Sequence, residues 1–169
     1  MTSPAPAVVT RPAVPDDLPA MTALQSRAFS PGRFARTAYR VREGGPDLSP
    51  FCRVALIGDR LVAALRLTQI NVGGRPGALL LGPLAVDPDE AGRGYGRRLV
   101  AELLETARAG DIRLVLLVGD VAYYGRLGFG PVPLGQIRLP GPVDPTRLLA
   151  AEVQPGALAE FRGLVARAA

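Results

Sequence analysis

A chain of 169 residues with 48% hydrophobic side chains can build one domain with a sizeable core, and no apolar stretch approaches the roughly 20 residues of a membrane helix. Histidine and lysine are absent, all 20 basic residues are arginine, and there is one cysteine, Cys52. These absences exclude histidine-dependent nucleophilic catalysis, zinc centres and other histidine or multi-cysteine metal sites, lysine-bearing phosphate loops and Schiff-base chemistry. The net charge of +5 comes from arginines scattered along the chain with no basic run or aromatic stacking motif, so nucleic acid is not expected as a partner. No basic segment leads into an apolar one at the start, and one cysteine allows no internal disulfide; a cytoplasmic protein that does not engage a membrane is expected.

Residues 1–7 are rich in Pro and Ala and are expected to be disordered. "VVTRPA" (8–13) reads as a first strand. "PDDLPAMTALQSRAF" (15–29) follows as a helix, with Leu18, Met21, Leu24 and Ala28 at helical spacing and Asp16 or Asp17 placed to cap it. A second, short helix is predicted over 32–41 and a loop over "EGGPDLSP" (43–50), where Gly-Gly-Pro and Ser-Pro break regular structure. The period then changes: residues 51–72 predict two strands around a Gly58–Asp59 turn. After a second turn over 72–78, "LLLGPLAVD" (79–87) is apolar on both faces and therefore central. Gly82–Pro83 in its middle predicts a distortion that frees backbone groups for another partner.

A helix is predicted over 97–110, with Leu99, Leu103 and Ala107 on one face and Gly110 closing it. "IRLVLLVGD" (112–120) reads as a second buried strand parallel to the one before the helix. A short helix over 121–127 and a strand over 128–139 follow. The tail from 140 predicts a strand at 149–154 and a helix over 156–167. No repeat or linker interrupts the chain, so a single domain over 1–169 is expected.

The stretch "EAGRGYGRRLV" (90–100) stands where a strand runs into a helix. The first amides of a helix have no intrahelical acceptor, and the macrodipole adds partial positive charge there. Glycines at 92, 94 and 96 let an anion reach those amides, and Arg93, Arg97 and Arg98 can add charge-assisted bonds. The competing reading is a turn whose glycines only let helix and strand pack closely. A dinucleotide fingerprint requires G-x-G-x-x-G directly after the strand; here the spacing is G-x-G-x-G and "DPDE" intervenes.

"LGPLAVDPDEAGRGYGRRLV" resembles motif A of the GCN5-related N-acetyltransferase (GNAT) family, and "GDVAYYGRLGF", about 30 residues on, resembles its motif B. The resemblance runs in element order from about residue 8 to 138, and the tail is similar to the C-terminus of a bacterial branch whose substrates are uncharacterised. It implies an α/β (α+β) fold with a mixed, mostly antiparallel central sheet, a splayed parallel strand pair and flanking helices. It implies acetyl-coenzyme A (acetyl-CoA) as cosubstrate, an amine as acceptor and no metal. The family's loop reads Q/R-x-x-G-x-G/A. Gly94 and Gly96 match its small positions, whereas Ala91 stands where Gln or Arg is usual, which removes one side-chain contact. The resemblance assigns the pyrophosphate to the amides of Gly92, Arg93, Gly94, Tyr95, Gly96 and Arg97. It assigns the pantetheine arm to the exposed backbone of Leu84, Ala85 and Val86.

Acetyl transfer needs a neutral amine, a stabilised carbonyl oxygen and protonation of the departing thiolate. The Y-x-R-x-G-F pattern (Tyr124, Arg126, Gly128, Phe129) implies that the Tyr124 hydroxyl sits beside the coenzyme sulfur as the acid; Tyr123 in that role, or simple packing of both rings, are the alternatives. No base is evident. Asp120 is the best-placed carboxylate, although capping the next helix would equally explain it, and Glu43 and Asp47 lie in a loop on the substrate side. Cys52 could form an acyl-enzyme or be inert core. Phe29, Phe34, Tyr39 and Phe51 are candidate pocket walls. Peptide N-termini, aminoglycosides, amino acids and polyamines are all open as acceptors, with the positive charge disfavouring polycations. A non-catalytic acyl-CoA-binding module is the alternative function, and a homodimer through a sheet edge is compatible with the fold.

Overall fold

The computed structural model describes residues 6–28, 40–46 and 48–169. Residues 1–5 of the expected disordered start and most of the expected helix over 32–41 lie outside these, although 40–42 are helical. The elements in chain order are β1 (Val8–Pro12), α1 (Leu18–Ala28), β2 (Arg53–Ile57), β3 (Arg60–Val72), β4 (Arg75–Val86) and α2 (Tyr95–Ala109). β5 (Leu114–Val118), α3 (Val121–Tyr124), β6 (Gly130–Pro131), β7 (Ile137–Arg138), β8 (Leu148–Glu152) and β9 (Gly163–Arg167) follow. The sheet runs β1-β2-β3-β4-β5-β8-β6, with β9 bonded to β3 and to β7. Along that path only β4 and β5 are parallel, joined by the crossover helix α2 as a parallel pair requires. The mixed, mostly antiparallel sheet expected from the sequence is therefore the one observed. No helix among the described residues is long and apolar enough to cross a membrane.

The first helix begins with a 3-10 turn at Pro15–Asp17. Asp17 caps it by accepting the Val14 amide at 2.8 Å, and it pairs with Arg11 at 2.7 Å. α1 then buries Met21 and Leu24 against Val54, Ala64 and Ala85 on one face of the sheet. α2 covers the other face with Leu99, Val100, Leu103 and Ala107, all fully buried. Each of the larger of these contributes about 1.5–3 kcal/mol by leaving water.

β4 changes partner midway. Its ladder with β5 covers Ala78–Leu81 only, ending at Leu81↔Leu117. Its ladder with β3 continues to Val86, but the register slips between Leu65↔Leu84 and Leu67↔Leu81, so Gly82 and Pro83 together face Arg66. This two-against-one bulge turns β4 away from β5. From residue 82 onward the β5-facing edge of β4 has no partner strand among the described residues, which is the distortion that Gly-Pro predicted.

Two expectations fail. The single strand over 128–139 is two short pieces: β6 pairs with β8 and β7 with β9. Pro131 and Pro133 remove ladder donors, and Gly135 turns the chain between the pieces. The helix over 156–167 is absent; a 3-10 turn at Ala157–Glu160 leads into strand β9. Val165 is buried between exposed Leu164 and Ala166, a period of two, and β9 pairs with the end of β3 through Ile70, Asn71 and Val72. Pairing with a strand about 90 residues away outweighs the helix propensity of "ALAEF". The predicted strand at 149–154 is β8, shifted toward the N-terminus.

Candidate active site

The chain between β4 and α2 is braced by charge. Asp87 is 1% exposed; it accepts the Asp89 amide at 3.0 Å and meets Arg27 at 3.1 Å and Arg60 at 3.3 Å. The Asp89 amide, with the two guanidiniums, holds its carboxyl below the usual range against the opposing effect of burial. Glu90 pairs with Arg60 at 2.6 Å and Arg93 at 3.1 Å. The 3-10 turn Pro88–Glu90 is thereby fixed before the glycines begin.

The three glycines are needed for two different reasons. Gly92 and Gly94 each have φ of +80°, a left-handed backbone, and a Cβ on either would meet nothing within 4 Å. Their requirement is conformational, and the space above them is open. At Gly96 the angle is ordinary, but a Cβ would stand 3.1 Å from the Tyr123 hydroxyl, 3.2 Å from Leu84 and 3.3 Å from Val86. Backbone conformation is therefore the requirement at Gly92 and Gly94, and close packing of helix on strand the requirement at Gly96. Arg98 is the first residue whose amide bonds back into α2, to Gly94 O at 3.0 Å, so the amides of Tyr95, Gly96 and Arg97 have no intrahelical acceptor. Among the arginines, Arg93 leans on Glu90. Arg98 is directed to Glu102 at 3.3 Å and the Val8 carbonyl at 3.5 Å, away from the glycines. Arg97 is exposed and has no ion pair among the described residues. Ala91 is exposed too, with its amide on Pro88 O at 3.4 Å.

Leu84 and Val86 flank this turn and, with Tyr95 and Tyr124, pack against the core beneath α2. Ala85 points to the α1 face. The free edge of β4 thus leads directly to the outward amides of α2. An extended chain ending in an anion fits that path: strand-like pairing along 84–86, then open space above Gly92 and Gly94 beside three unbonded amides.

Tyr124 stands across the splay. Its ring lies on Gly119 at the end of β5, where a Cβ would come within 2.7 Å of it. Edge contacts join it to Tyr123 at 4.9 Å and Phe129 at 5.9 Å. Burial, reinforced by Tyr123, pushes its pKa up to about 12. Its hydroxyl has no hydrogen-bond partner among the described residues. Tyr123 is 43% exposed and puts its hydroxyl at Gly96 instead, so the two rings divide between the start of α2 and the end of β5.

The carboxylate and thiol candidates are not gathered here. Asp120 caps α3 by accepting the Ala122 amide at 2.9 Å. Glu43 is exposed on the loop after residue 42. Cys52 is 1% exposed, with its sulfur 3.4 Å from the Leu67 amide, which donates to it. Phe51 packs against the core under α2. Asp47, Phe29, Phe34 and Tyr39 lie outside the described residues. No group of three or more metal-ligating side chains occurs among the described residues.

No local pattern of residues marks a cavity of about 140 Å³ on the α1 face of β3. Arg42, Arg66, Arg167, Ser49, Thr68 and Gln69 supply its polar lining. These residues come from four separate stretches, and no local motif joins them.

The sequence model of the acetyltransferase (GNAT) family matches residues 18–129, a span that takes in the bulged strand, the glycine junction, α2 and the tyrosine turn. This chain belongs to the GNAT family. As a GNAT protein it is an acyltransferase. It is 28% identical over 127 residues to YhbS of Escherichia coli (strain K12), an uncharacterised N-acetyltransferase, with 72% of this chain and 73% of YhbS covered. The crystal structure of E. coli YhbS in complex with CoA superposes with a TM-score of 0.84, covering 99% of this chain and 93% of that one. A GNAT acetyltransferase from Brucella melitensis, crystallised with acetyl-CoA, shares the fold at TM-score 0.71 and 22% identity, with 96% and 97% of the two chains covered.

Proposed function

We propose that this GNAT enzyme binds acetyl-CoA and moves its acetyl group directly to a primary amine of a small acceptor. The observation that carries the reading is the continuity of the unpartnered β4 edge with the unbonded amides of α2. Bound there, the cosubstrate supplies an activated thioester carbonyl. The amides of Gly92–Arg97 take the pyrophosphate, with Arg97 adding a charge-assisted bond. The backbone of Leu84, Ala85 and Val86 pairs with the pantetheine amides, which carries the thioester carbonyl, at the end of the arm away from the pyrophosphate, past Leu84 to the bulge.

Tyr124 keeps its proton at every working pH, because its pKa is about 12. A thiol near 8.5 is a stronger acid by roughly 3–4 units, so complete transfer of the phenolic proton would cost about 4–5 kcal/mol. The Tyr124 hydroxyl therefore donates a hydrogen bond to the leaving sulfur, and the proton lost by the attacking amine completes the thiol. No carboxylate is needed as base if the amine arrives neutral, in keeping with Asp120 being spent on a helix cap. The C–S bond breaks as the C–N bond forms, and Cys52 takes no part.

Free-thiol release from acetyl-CoA, measured across a panel of amines, tests this reading. Amine-dependent release that keeps pace with N-acetyl product is expected. CoA binding without release for any amine would instead identify a non-catalytic acyl-CoA-binding module.

A further inference from the structure

The cavity on the far side of the sheet bulge has a charge that the cosubstrate site does not explain. On its wall, Arg66 and Thr68 project from the middle of β3, Arg42 comes from the end of the helical stretch 40–42, Ser49 from the loop before β2, and Arg167 from the end of β9. β2 covers the edge of β3 over Arg60–Leu65 and β9 covers Ile70–Val72, so residues 66–69 lie in the gap between the two ladders. Thr68 is 9% exposed, and its hydroxyl has no hydrogen-bond partner among the described residues. The Arg167 side chain lies along Gly45, close to where a Cβ would stand. Pro46, Leu67, Ala168 and Ala169 complete the described lining.

Its position relates it to the reaction. Arg66 is the residue that faces Gly82 and Pro83 across the β3–β4 ladder, one strand spacing (about 4.8 Å) from the point where β4 parts from β5. The cavity therefore adjoins the place where the proposed function sets the thioester carbonyl. Three guanidiniums with hydroxyl and amide groups around a small recess form a lining suited to an oxyanion, since guanidinium binds carboxylate and phosphate through paired, charge-assisted bonds. At roughly 10–15 Å³ for each water, the volume admits a small charged group and excludes a large apolar one.

We propose that this cavity is the acceptor subsite and that the acceptor is a small amine carrying its own anionic group, a carboxylate or a phosphate, held by Arg66 and Arg167 with its nitrogen directed to the bulge. This rests on the transferase reading for the position of the acetyl group, but the anion site itself is testable by binding alone. Calorimetry on the whole chain compares N-acetylglycine with N-acetylglycinamide, and phosphoethanolamine with ethanolamine. At least one anionic probe is expected to bind ten times or more tightly than its neutral counterpart, and the pair that does so distinguishes carboxylate from phosphate. R66Q and R167Q are each expected to weaken that probe about tenfold while leaving the dissociation constant for CoA within twofold. If R66Q does not fold, R167Q at the partly exposed end of β9 decides alone. Equal binding of the neutral analogues, no binding of either anionic probe, or unchanged affinity in the variants overturns the proposal. Failure of CoA to bind wild type overturns the transferase reading instead and is read in a separate titration.

Discussion

The two sides of the bulged strand offer a ligand different means of attachment. On the α2 side the site is backbone: outward amides, a free strand edge and two left-handed glycines, with side chains mainly bracing the turn from behind. On the α1 side the recess is made of side chains, Arg66, Arg167, Arg42, Ser49 and Thr68, brought together from four stretches of chain. A backbone site tolerates changes of side chain and fails when something fills it. A side-chain site does the reverse.

Filling the backbone side has the largest expected effect. Gly96→Val must displace the Tyr123 hydroxyl, Leu84 and Val86, each 3.1–3.3 Å from the first added carbon. A loss of CoA affinity of about 100-fold or more is expected by titration, with a stability cost of about 1–3 kcal/mol in urea unfolding. Affinity retained within a few fold would mean that the start of α2 does not hold the ligand. Next in size, Tyr124→Phe is expected to lower kcat about 100-fold while the KM for acetyl-CoA changes less than twofold, because a donor that acts on the leaving group is lost. Steady-state thiol release would reveal the opposite pattern, a raised KM at full kcat, if the ring only packs.

The same tyrosine sharpens the comparison through pH. Its folded pKa of about 12 exceeds the unfolded value of 10, so its contribution is complete below pH 10 and is lost as pH rises toward 12. That amounts to about 2–3 kcal/mol. With no lysine in the chain, few other groups titrate in that window. Urea midpoints at pH 9 and pH 11.5 should fall further for wild type than for Tyr124→Phe; parallel falls would place the phenol in water. The smallest effects distinguish the arginines. Arg97→Ala should weaken CoA about three- to tenfold, the scale of one partly exposed charge-assisted bond. Arg98→Ala, whose guanidinium faces Glu102, should leave it within twofold.

The contrast also accounts for how much the sequence revealed. The glycine junction, the buried strand pair, the Gly82–Pro83 distortion and the Asp120 cap are local patterns, and each could be read from adjacent residues. β9 could not, because "GLVAR" becomes a strand only by pairing with residues 70–72 of β3. Pro131 and Pro133 carried the information that residues 128–139 divide into two strands, but an apolar run obscured it. The arginine recess had no local signal at all: Arg42, Arg66 and Arg167 are neighbours only after β2 and β9 have docked on the same edge of β3. Gly96 and Tyr123 fall between these cases, since the alternating glycines were evident but their separate reasons depend on which side chains stand opposite.

The central claim is that the α2 amides and the glycines before them hold a pyrophosphate. Thermal unfolding with CoA and, separately, with pantetheine, which has the same arm but no pyrophosphate, tests it most directly. At 100 times its dissociation constant CoA should add about 2.7 kcal/mol, a rise in Tm of roughly 5–10 °C for a chain of this size, while pantetheine at the same concentration adds little. An equal rise with both, or none with CoA, would contradict the claim.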